Sequence, residues 1–315
     1  MKIVLLDTAG LGADIDLSPL QAFPGFTFYE KTEPAQLDER IKDAEILITA
    51  SMKLSRHNLA AAEKLKLICV AATGYDHIDM AYCREKGIGL CNVAGYSTNS
   101  VAQHTLSMAL ALSNHLIAYR DLVHNGEYAR SGRPFLLTPV WHELEGKTWG
   151  IIGAGNIGRR VAKMAEGFGC KILVFRRSPD PDYESADLDT VLRRSDIVSV
   201  HLPLNEQTRG IISAEKIEPM KQGAMFINVA RGAVADEEAL TCAIESGHLG
   251  ALGCDVFSKE PFFGDHPYSR ILNRHNVILT PHSAWGAQEA RNRCVAEIAE
   301  NITVFLSGGR RNRVD

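Results

Sequence analysis

The stretch Trp149-Gly150-Ile151-Ile152-Gly153-Ala154-Gly155-Asn156-Ile157-Gly158 decides the fold. An apolar run ends in a GxGxxG pattern, and a helical pattern over 156–168 follows at once. The first glycine, Gly153, permits a tight turn, and the second, Gly155, lets backbone N–H groups approach a pyrophosphate. The third, Gly158, lets the helix pack closely on its strand, and the helix N-terminus adds partial positive charge at the same point. Alone, GxGxxG is a common glycine-rich turn. With a strand before it and a helix after it, the motif reads as a dinucleotide-binding loop.

On both sides of this stretch, short β-branched or Leu-rich runs alternate with helical patterns almost throughout. Strands are expected over 2–6, 26–29, 46–49, 67–71 and 89–92, then over 148–152, 171–175, 197–201, 224–228, 251–255 and 277–280. Such alternation implies parallel sheets flanked by helices. Two series imply an α/β chain with two doubly wound domains. The last helical pattern, 286 to about 306, follows the final strand and is placed to cross back to the first series. The expected arrangement is therefore a Rossmann cofactor domain over 100–283, inserted into a flavodoxin-like domain made of 1–99 and 284–315. Between the series, the apolar segment from Ser97 to about His124 reads as one long helix. It is buried either between domains, against a second subunit, or as a plain core helix. An irregular stretch through Ser131-Gly132-Arg133-Pro134 to Trp141 and Glu145 follows, of a length usually tied to function or an interface.

The strand over 171–175 carries the choice of cofactor. An NAD-type site normally ends this strand with an acid about 20 residues past the glycines, to grip the ribose 2′-hydroxyl. Here the strand ends in Arg176-Arg177-Ser178, with Arg176 in the acid's place. A carboxylate repels a 2′-phosphate, whereas guanidinium groups bind it with charge-assisted bonds. NADP is thus the preferred cofactor and NAD the alternative, with Arg176, Arg177 and Ser178 as candidate contacts. Arginines that simply face solvent are the competing explanation.

Three later residues complete a chemical set. Arg231 lies in Asn228-Val229-Ala230-Arg231-Gly232, Glu260 in Asp255-Val256-Phe257-Ser258-Lys259-Glu260-Pro261, and His282 in Thr280-Pro281-His282-Ser283-Ala284-Trp285. Reduction of a 2-keto acid needs the substrate gripped in a fixed pose and a proton for the forming alkoxide. A guanidinium fork can hold both carboxylate and carbonyl oxygen. An imidazole titrates near neutrality, and a neighbouring carboxylate favours its cationic form. Each residue follows an expected strand, where open α/β sheets bind ligands. Taken singly, an Arg, Glu or His in a loop is more often structural. Among the 11 histidines, His201 and His104 are rivals for the proton donor, with satisfied structural roles favoured for both.

The bulk numbers exclude other classes. A net charge of −4 gives no field to recruit nucleic acid or an anionic membrane. The basic end, Arg310, Arg311 and Arg313, reads as a solvated terminus. Seven cysteines are scattered without metal-ligand spacing or a disulfide framework, so no metal site is expected and the cytoplasm is the default location. No stretch reaches the roughly 18 apolar residues of a membrane span.

On these motifs the chain resembles the D-isomer-specific 2-hydroxyacid dehydrogenases. The likeness runs from Val70-Ala71-Ala72-Thr73-Gly74-Tyr75-Asp76 through Ser100-Val101-Ala102-Gln103-His104-Thr105 to Pro281-His282. It implies that Arg231, Glu260 and His282 are the catalytic Arg, Glu and His. It implies that Thr73 and Gly74 receive the substrate carboxylate, with Thr73 also near the cofactor. Asn156 and Ile157 match the pyrophosphate contacts, Leu202, Pro203 and Thr208 the segment beside adenine and phosphate, and Val229, Ala230 and Asp255 the groups near the nicotinamide. Within the family, Leu17-Ser18-Pro19-Leu20, Gly95-Tyr96-Ser97-Thr98 and Pro281-His282-Ser283-Ala284-Trp285 are similar to glycerate dehydrogenases, also called hydroxypyruvate reductases. Trp285 then either walls a small substrate pocket or packs in the core. The expected partners are a small 2-keto or 2-hydroxy acid and a second copy of the chain. Two departures are Arg176 in place of an acid, and the segment Ala50-Ser51-Met52-Lys53-Leu54, where Lys53 either meets substrate charge or caps a turn. The same fold also serves dinucleotide-sensing corepressors that bind short peptides and keep an Arg-Glu-His set, which is the alternative function.

Overall fold

Val4, Leu5, Leu47, Ile48, Ile68, Cys69 and Leu90 are all closed off from solvent. Burial on both faces of a parallel sheet explains why these early runs are continuously apolar rather than alternating. In the computed structural model, which describes residues 1–315, they form β1 (Ile3–Leu5), β3 (Ile46–Thr49), β4 (Leu67–Val70) and β5 (Gly89–Cys91), with the more exposed β2 (Phe26–Phe28) at one edge. The order is β2-β1-β3-β4-β5, all parallel, which is the flavodoxin-like winding. The helix Gln288–Leu306 lays Ala290, Cys294, Val295, Ile298 and Ile302 on this sheet's core, one stripe at helical spacing. One compact unit is accordingly Met1–Ser97 with Trp285–Asp315, and the other is Thr98–Ala284.

The C-terminal arginines differ from the expected solvated tail. Val314 N–H donates to the carbonyl of Leu90, and Leu90 N–H donates to the Asp315 carboxylate, so the chain end lines the edge strand β5. Arg313 grips Asp315 through two nitrogens, and Arg311 reaches Glu297 and Asn301. Only Arg310 of the three is mostly exposed. An unpaired β5 edge, invisible in composition, is what the tail covers.

The second unit holds seven parallel strands: β6 (Thr148–Ile152), β7 (Lys171–Phe175), β8 (Glu184–Ser185), β9 (Ile197–Val200), β10 (Ala224–Asn228), β11 (Leu249–Cys254) and β12 (Val277–Leu279). Their order is β12-β11-β10-β9-β6-β7-β8. The winding direction reverses between β6 and β9, the switch point at which such sheets open a crevice at their carboxyl ends. Strand β8 went unforeseen because its two residues are exposed and polar, paired at the sheet edge with Leu173 and Val174.

The expected long helix is two helices. Thr98–Ser113 buries Ala102, Leu106, Met108, Ala109 and Leu112 within its own unit, against the helix Asn156–Glu166 and β11. It is a core helix of that unit. The chain then breaks at His115, whose φ of +51° is left-handed and cannot continue a right-handed helix. Leu116–His124 follows and buries only Ala118. From there to Trp141 the segment leaves Val123, Tyr128, Phe135, Leu137, Val140 and Trp141 exposed, with Leu137 at 77%.

Candidate active site

The GxGxxG loop leaves β6 at the switch point. Gly153 has φ +98°, and a Cβ there would meet the His201 carbonyl at 2.9 Å. A Cβ on Gly158 would lie 2.2 Å from the Gly153 carbonyl oxygen, so the helix can sit on its strand only without a side chain. Gly155 is different, with nothing within 4 Å of its Cβ position. It is also the helix N-cap, with no side chain bonded to the helix's first N–H groups. Open space in front of uncapped donors, starting at Asn156 and Ile157, fits a pyrophosphate. Leu202 and Pro203 follow β9 beside Gly153, and Thr208 Oγ1 donates to the Pro203 carbonyl at 2.6 Å, closing that loop.

At the end of β7 the two arginines have different surroundings. Arg176 Nη1 is 2.8 Å from Asp180 Oδ2, and Arg159 on the glycine-loop helix binds the same oxygen at 2.5 Å. Arg159 also binds Asp182. The Asp180 side chain is closed off from solvent. Burial pushes its carboxyl up, but the Asp182 N–H and the two guanidiniums outweigh that and hold it at about 2. Arg176 is thus already neutralised by an acid of its own chain, whereas Arg177 is exposed and has no carboxylate partner. Ser178 is exposed beside them.

The three candidate catalytic residues emerge at the carboxyl ends of β10, β11 and β12. Asn228, the buried last residue of β10, ties the first loop: its amide donates to the Arg231 carbonyl at 3.0 Å and its oxygen accepts from Ala230 N–H at 3.0 Å. Val229 and Ala230 lie within this tie, and Arg231 Nη1 donates to the Ala230 carbonyl at 2.8 Å. After β11, Glu260 folds back so that Oε1 accepts from Phe257 N–H at 2.8 Å. Its Oε2 lies 2.7 Å from Nδ1 of His282. A carboxylate oxygen only accepts, so Nδ1 carries the proton and Nε2 is left to exchange one with a ligand. Burial pushes the Glu260 carboxyl up; the His282 bond and charge, the Phe257 N–H and the Arg231 charge bring it below the ordinary value.

His282 itself is held in a left-handed conformation at φ +51°. Asp255, 1% exposed, clamps the residues around it. One carboxylate oxygen accepts from Ser283 N–H at 2.8 Å and Thr280 Oγ1 at 2.5 Å, the other from Ala284 N–H at 2.9 Å. Each buried group left without its partner costs about 1–3 kcal/mol, so this clamp is hard to open. His104 supports it from the helix Thr98–Ser113, 3.0 Å from Thr280 Oγ1. His201 Nε2 meets Ser199 Oγ at 2.9 Å, and burial pushes its imidazole down to about 3, so it stays neutral and donates no proton near pH 7. His104 thus has the satisfied structural position expected of it, whereas His201 is only half satisfied: its buried Nδ1 has no hydrogen-bond partner. The supporting roles of Asn228 and Thr280 escaped the sequence, where the one signal is a polar residue ending, or just past, a buried strand.

In the other unit, Thr73 Oγ1 donates to the Val93 carbonyl at 3.1 Å, and Asn92 donates to the Thr73 carbonyl at 2.8 Å, fixing the Thr73-Gly74 loop after β4. Trp285 packs edge-on to Tyr96, ring centroids 6.5 Å apart, against the core of the same unit. No group of His, Cys, Asp or Glu side chains is arranged to hold a metal. No helix is long and apolar enough to cross a membrane.

Comparison with known proteins identifies the family. Residues 106–284 match the family described as D-isomer specific 2-hydroxyacid dehydrogenase, NAD binding domain. A hydroxypyruvate reductase of Blautia hydrogenotrophica is 34% identical, with both chains covered in full. A glycerate dehydrogenase of Methylorubrum extorquens is 34% identical over 100% of this chain and 99% of its own. Among solved structures, a D-lactate dehydrogenase from Aquifex aeolicus complexed with NAD and lactic acid superposes with a TM-score of 0.87 at 30% identity, covering 98% of this chain and 96% of that one.

Proposed function

The chain belongs to the D-isomer-specific 2-hydroxyacid dehydrogenase family, and from that premise we propose that it reduces a short 2-keto acid to the D-2-hydroxy acid. Hydroxypyruvate is the first candidate and glyoxylate the second, with NADPH preferred over NADH. The observation that carries the proposal is the 2.7 Å contact between Glu260 Oε2 and His282 Nδ1, with the Arg231 charge acting on the same carboxylate. The Arg231 fork holds the keto acid's carboxylate and carbonyl oxygen and offsets charge developing on that oxygen. His282 donates the Nε2 proton to the forming alkoxide, and Glu260, bonded to Nδ1, keeps the ring oriented. A nicotinamide dinucleotide, when bound, would supply the hydride. The uncapped helix start at Asn156 and Ile157 would hold its pyrophosphate, and by the family resemblance Asp255, Val229 and Ala230 would flank its nicotinamide end. For Thr73, Gly74 and Trp285, in the other unit, the assignment to substrate rests on the family resemblance alone.

Support for NADPH comes from the arginines after β7, Arg177 above all, since it has no carboxylate partner. A second copy of the chain is the proposed partner for the exposed apolar side chains between Leu116 and Trp141. Light scattering of the purified protein giving the mass of two chains is the expected result. Seven free thiols suit a reducing compartment such as the cytoplasm.

The test is initial rates with hydroxypyruvate and with glyoxylate, using NADPH and NADH in parallel. Faster turnover with NADPH supports both the reaction and the arginines' role. Faster turnover with NADH keeps the reaction and removes the 2′-phosphate assignment. No rate with either substrate and cofactor sinks the proposed substrates and calls for a peptide-binding test of the corepressor alternative.

A further inference from the structure

Behind the loop that carries Glu260 lies a second carboxylate that the proposed chemistry does not use. Glu237 is the first residue of the helix Glu237–Glu245, capped by Asp236, and is 8% exposed. Its Oε1 accepts from Ser258 N–H at 2.8 Å, and its Oε2 accepts from Ser258 Oγ–H. His266 Nε2 approaches the same Oε2 at 3.0 Å. Tyr268 N–H donates to His266 Nδ1 at 3.2 Å, so Nδ1 is the acceptor and Nε2 carries the proton given to Glu237. Rings of Phe257, Phe262 and Tyr268 enclose this imidazole.

The consequence is that two successive backbone N–H groups are each held by a carboxylate: Phe257 by Glu260 and Ser258 by Glu237. The same peptide is where the Arg231 loop arrives, since a Cβ on Gly232 would lie 2.0 Å from Phe257 C and 2.1 Å from Ser258 N. We infer that Glu237 is a positioning residue for the active site. Its grip on Ser258 fixes the peptide from which Glu260 reaches His282 and on which the Arg231 loop rests, and His266 keeps Glu237 aimed. The inference rests on the proposed pairing of Glu260 with His282. The charged groups facing Glu260 are His282 and Arg231, and the titratable side chain hydrogen-bonded to Glu237 is His266.

The experiment compares wild type, Glu237→Gln, Ser258→Ala and Glu260→Gln in thermal melting, in kcat and KM for hydroxypyruvate, and in the pH dependence of kcat. Wild-type kcat should fall at low pH as the Glu260 carboxyl is protonated, and Glu260→Gln should lose that limb. In Glu237→Gln the loosened loop gives up the partners that hold the Glu260 carboxyl down. Its low-pH limb should therefore move to higher pH, with kcat lower by roughly ten- to a hundredfold and KM within about threefold. Ser258→Ala keeps the backbone N–H and should move the same way by less, and it decides the matter if Glu237→Gln fails to fold. If both variants keep the wild-type limb while Glu260→Gln loses it, Glu237 is only structural and the pairing stands. If Glu260→Gln itself keeps the wild-type limb, the pairing falls and the inference with it.

Discussion

Replacing Gly232 by alanine adds one methyl group where two functional loops touch. The added carbon would sit 2.0 Å from Phe257 C, 2.1 Å from Ser258 N and 2.5 Å from Phe257 Cα. Ordinary contact starts near 3.4 Å, so the loops carrying Arg231 and Glu260 must part by about 1.4 Å. Both sides of the collision are backbone, so no side-chain rotation relieves it. Gly232 opens a short helical turn and has no left-handed φ, which makes space, and not dihedral freedom, the reason for glycine. A displacement of about 1 Å in catalytic geometry costs on the order of a hundredfold in rate, and kcat/KM for hydroxypyruvate should fall by at least that much. The strain of overpacking, roughly 1–3 kcal/mol, should lower the melting temperature by roughly 2–12 °C and leave a folded protein. Steady-state kinetics beside circular-dichroism melting checks both numbers. Gly232→Ala retaining kcat/KM within about threefold of wild type would refute the argument that this contact registers the two loops.

Three further outcomes follow from the geometry. His282→Ala should lower kcat by roughly 10²- to 10⁴-fold with KM little changed, whereas Arg231→Ala should act mainly on KM; wild-type kcat in His282→Ala would remove its role as proton donor. Arg177→Ala should weaken binding of 2′,5′-ADP, measured by calorimetry, by roughly 10- to 100-fold and leave 5′-AMP unaffected, while Arg176→Ala, already tied to Asp180, should cost much less; equal losses would contradict that division. Asp180, held at about 2, is depressed in the folded state, so its stabilisation is complete above the ordinary carboxyl range and lost as pH falls toward 2; melting between pH 5 and 2 should be less pH-dependent in Asp180→Asn, and an unchanged slope would count against it.

What could be foreseen divides along a physical line. The strands, both windings and the GxGxxG turn depend on local pattern: continuous apolar runs, glycine spacing and the polar residue that ends or follows a strand. The catalytic candidates were legible for a related reason, because Arg231, Glu260 and His282 each follow a strand of one parallel sheet whose carboxyl ends converge. The contacts that decide how those side chains behave are between distant segments and left no local mark. Arg176 and Arg177 look equivalent in the sequence, yet Asp180 and Arg159 make one a neutralised member of a network and leave the other unpaired. Strand β8 and the tail pairing on β5 are backbone events at sheet edges, where side-chain pattern is weakest. The break at His115 is a single left-handed residue inside an otherwise unbroken helical pattern.

The same line separates the residues proposed to do the chemistry from those that hold them. Arg231, Glu260 and His282 are recognisable by residue type because a guanidinium, a carboxylate and an imidazole each bring a property no other side chain supplies. Asn228, Asp255 and Glu237 bring only hydrogen-bond acceptors or donors at a fixed place, and any polar side chain in the sequence has those. Their distinction is burial: each is less than a tenth exposed, and each satisfies backbone N–H groups of a loop bearing one of the three. A buried carboxylate without partners is costly, so the bonds that spare Asp255 and Glu237 that cost are the ones that hold the His282 and Glu260 loops still. Precision at the exposed site is thereby set by satisfaction of polar groups in the interior. Variants of these three buried residues should accordingly lose catalytic rate in proportion to the loop bonds they remove, not to their distance from the substrate.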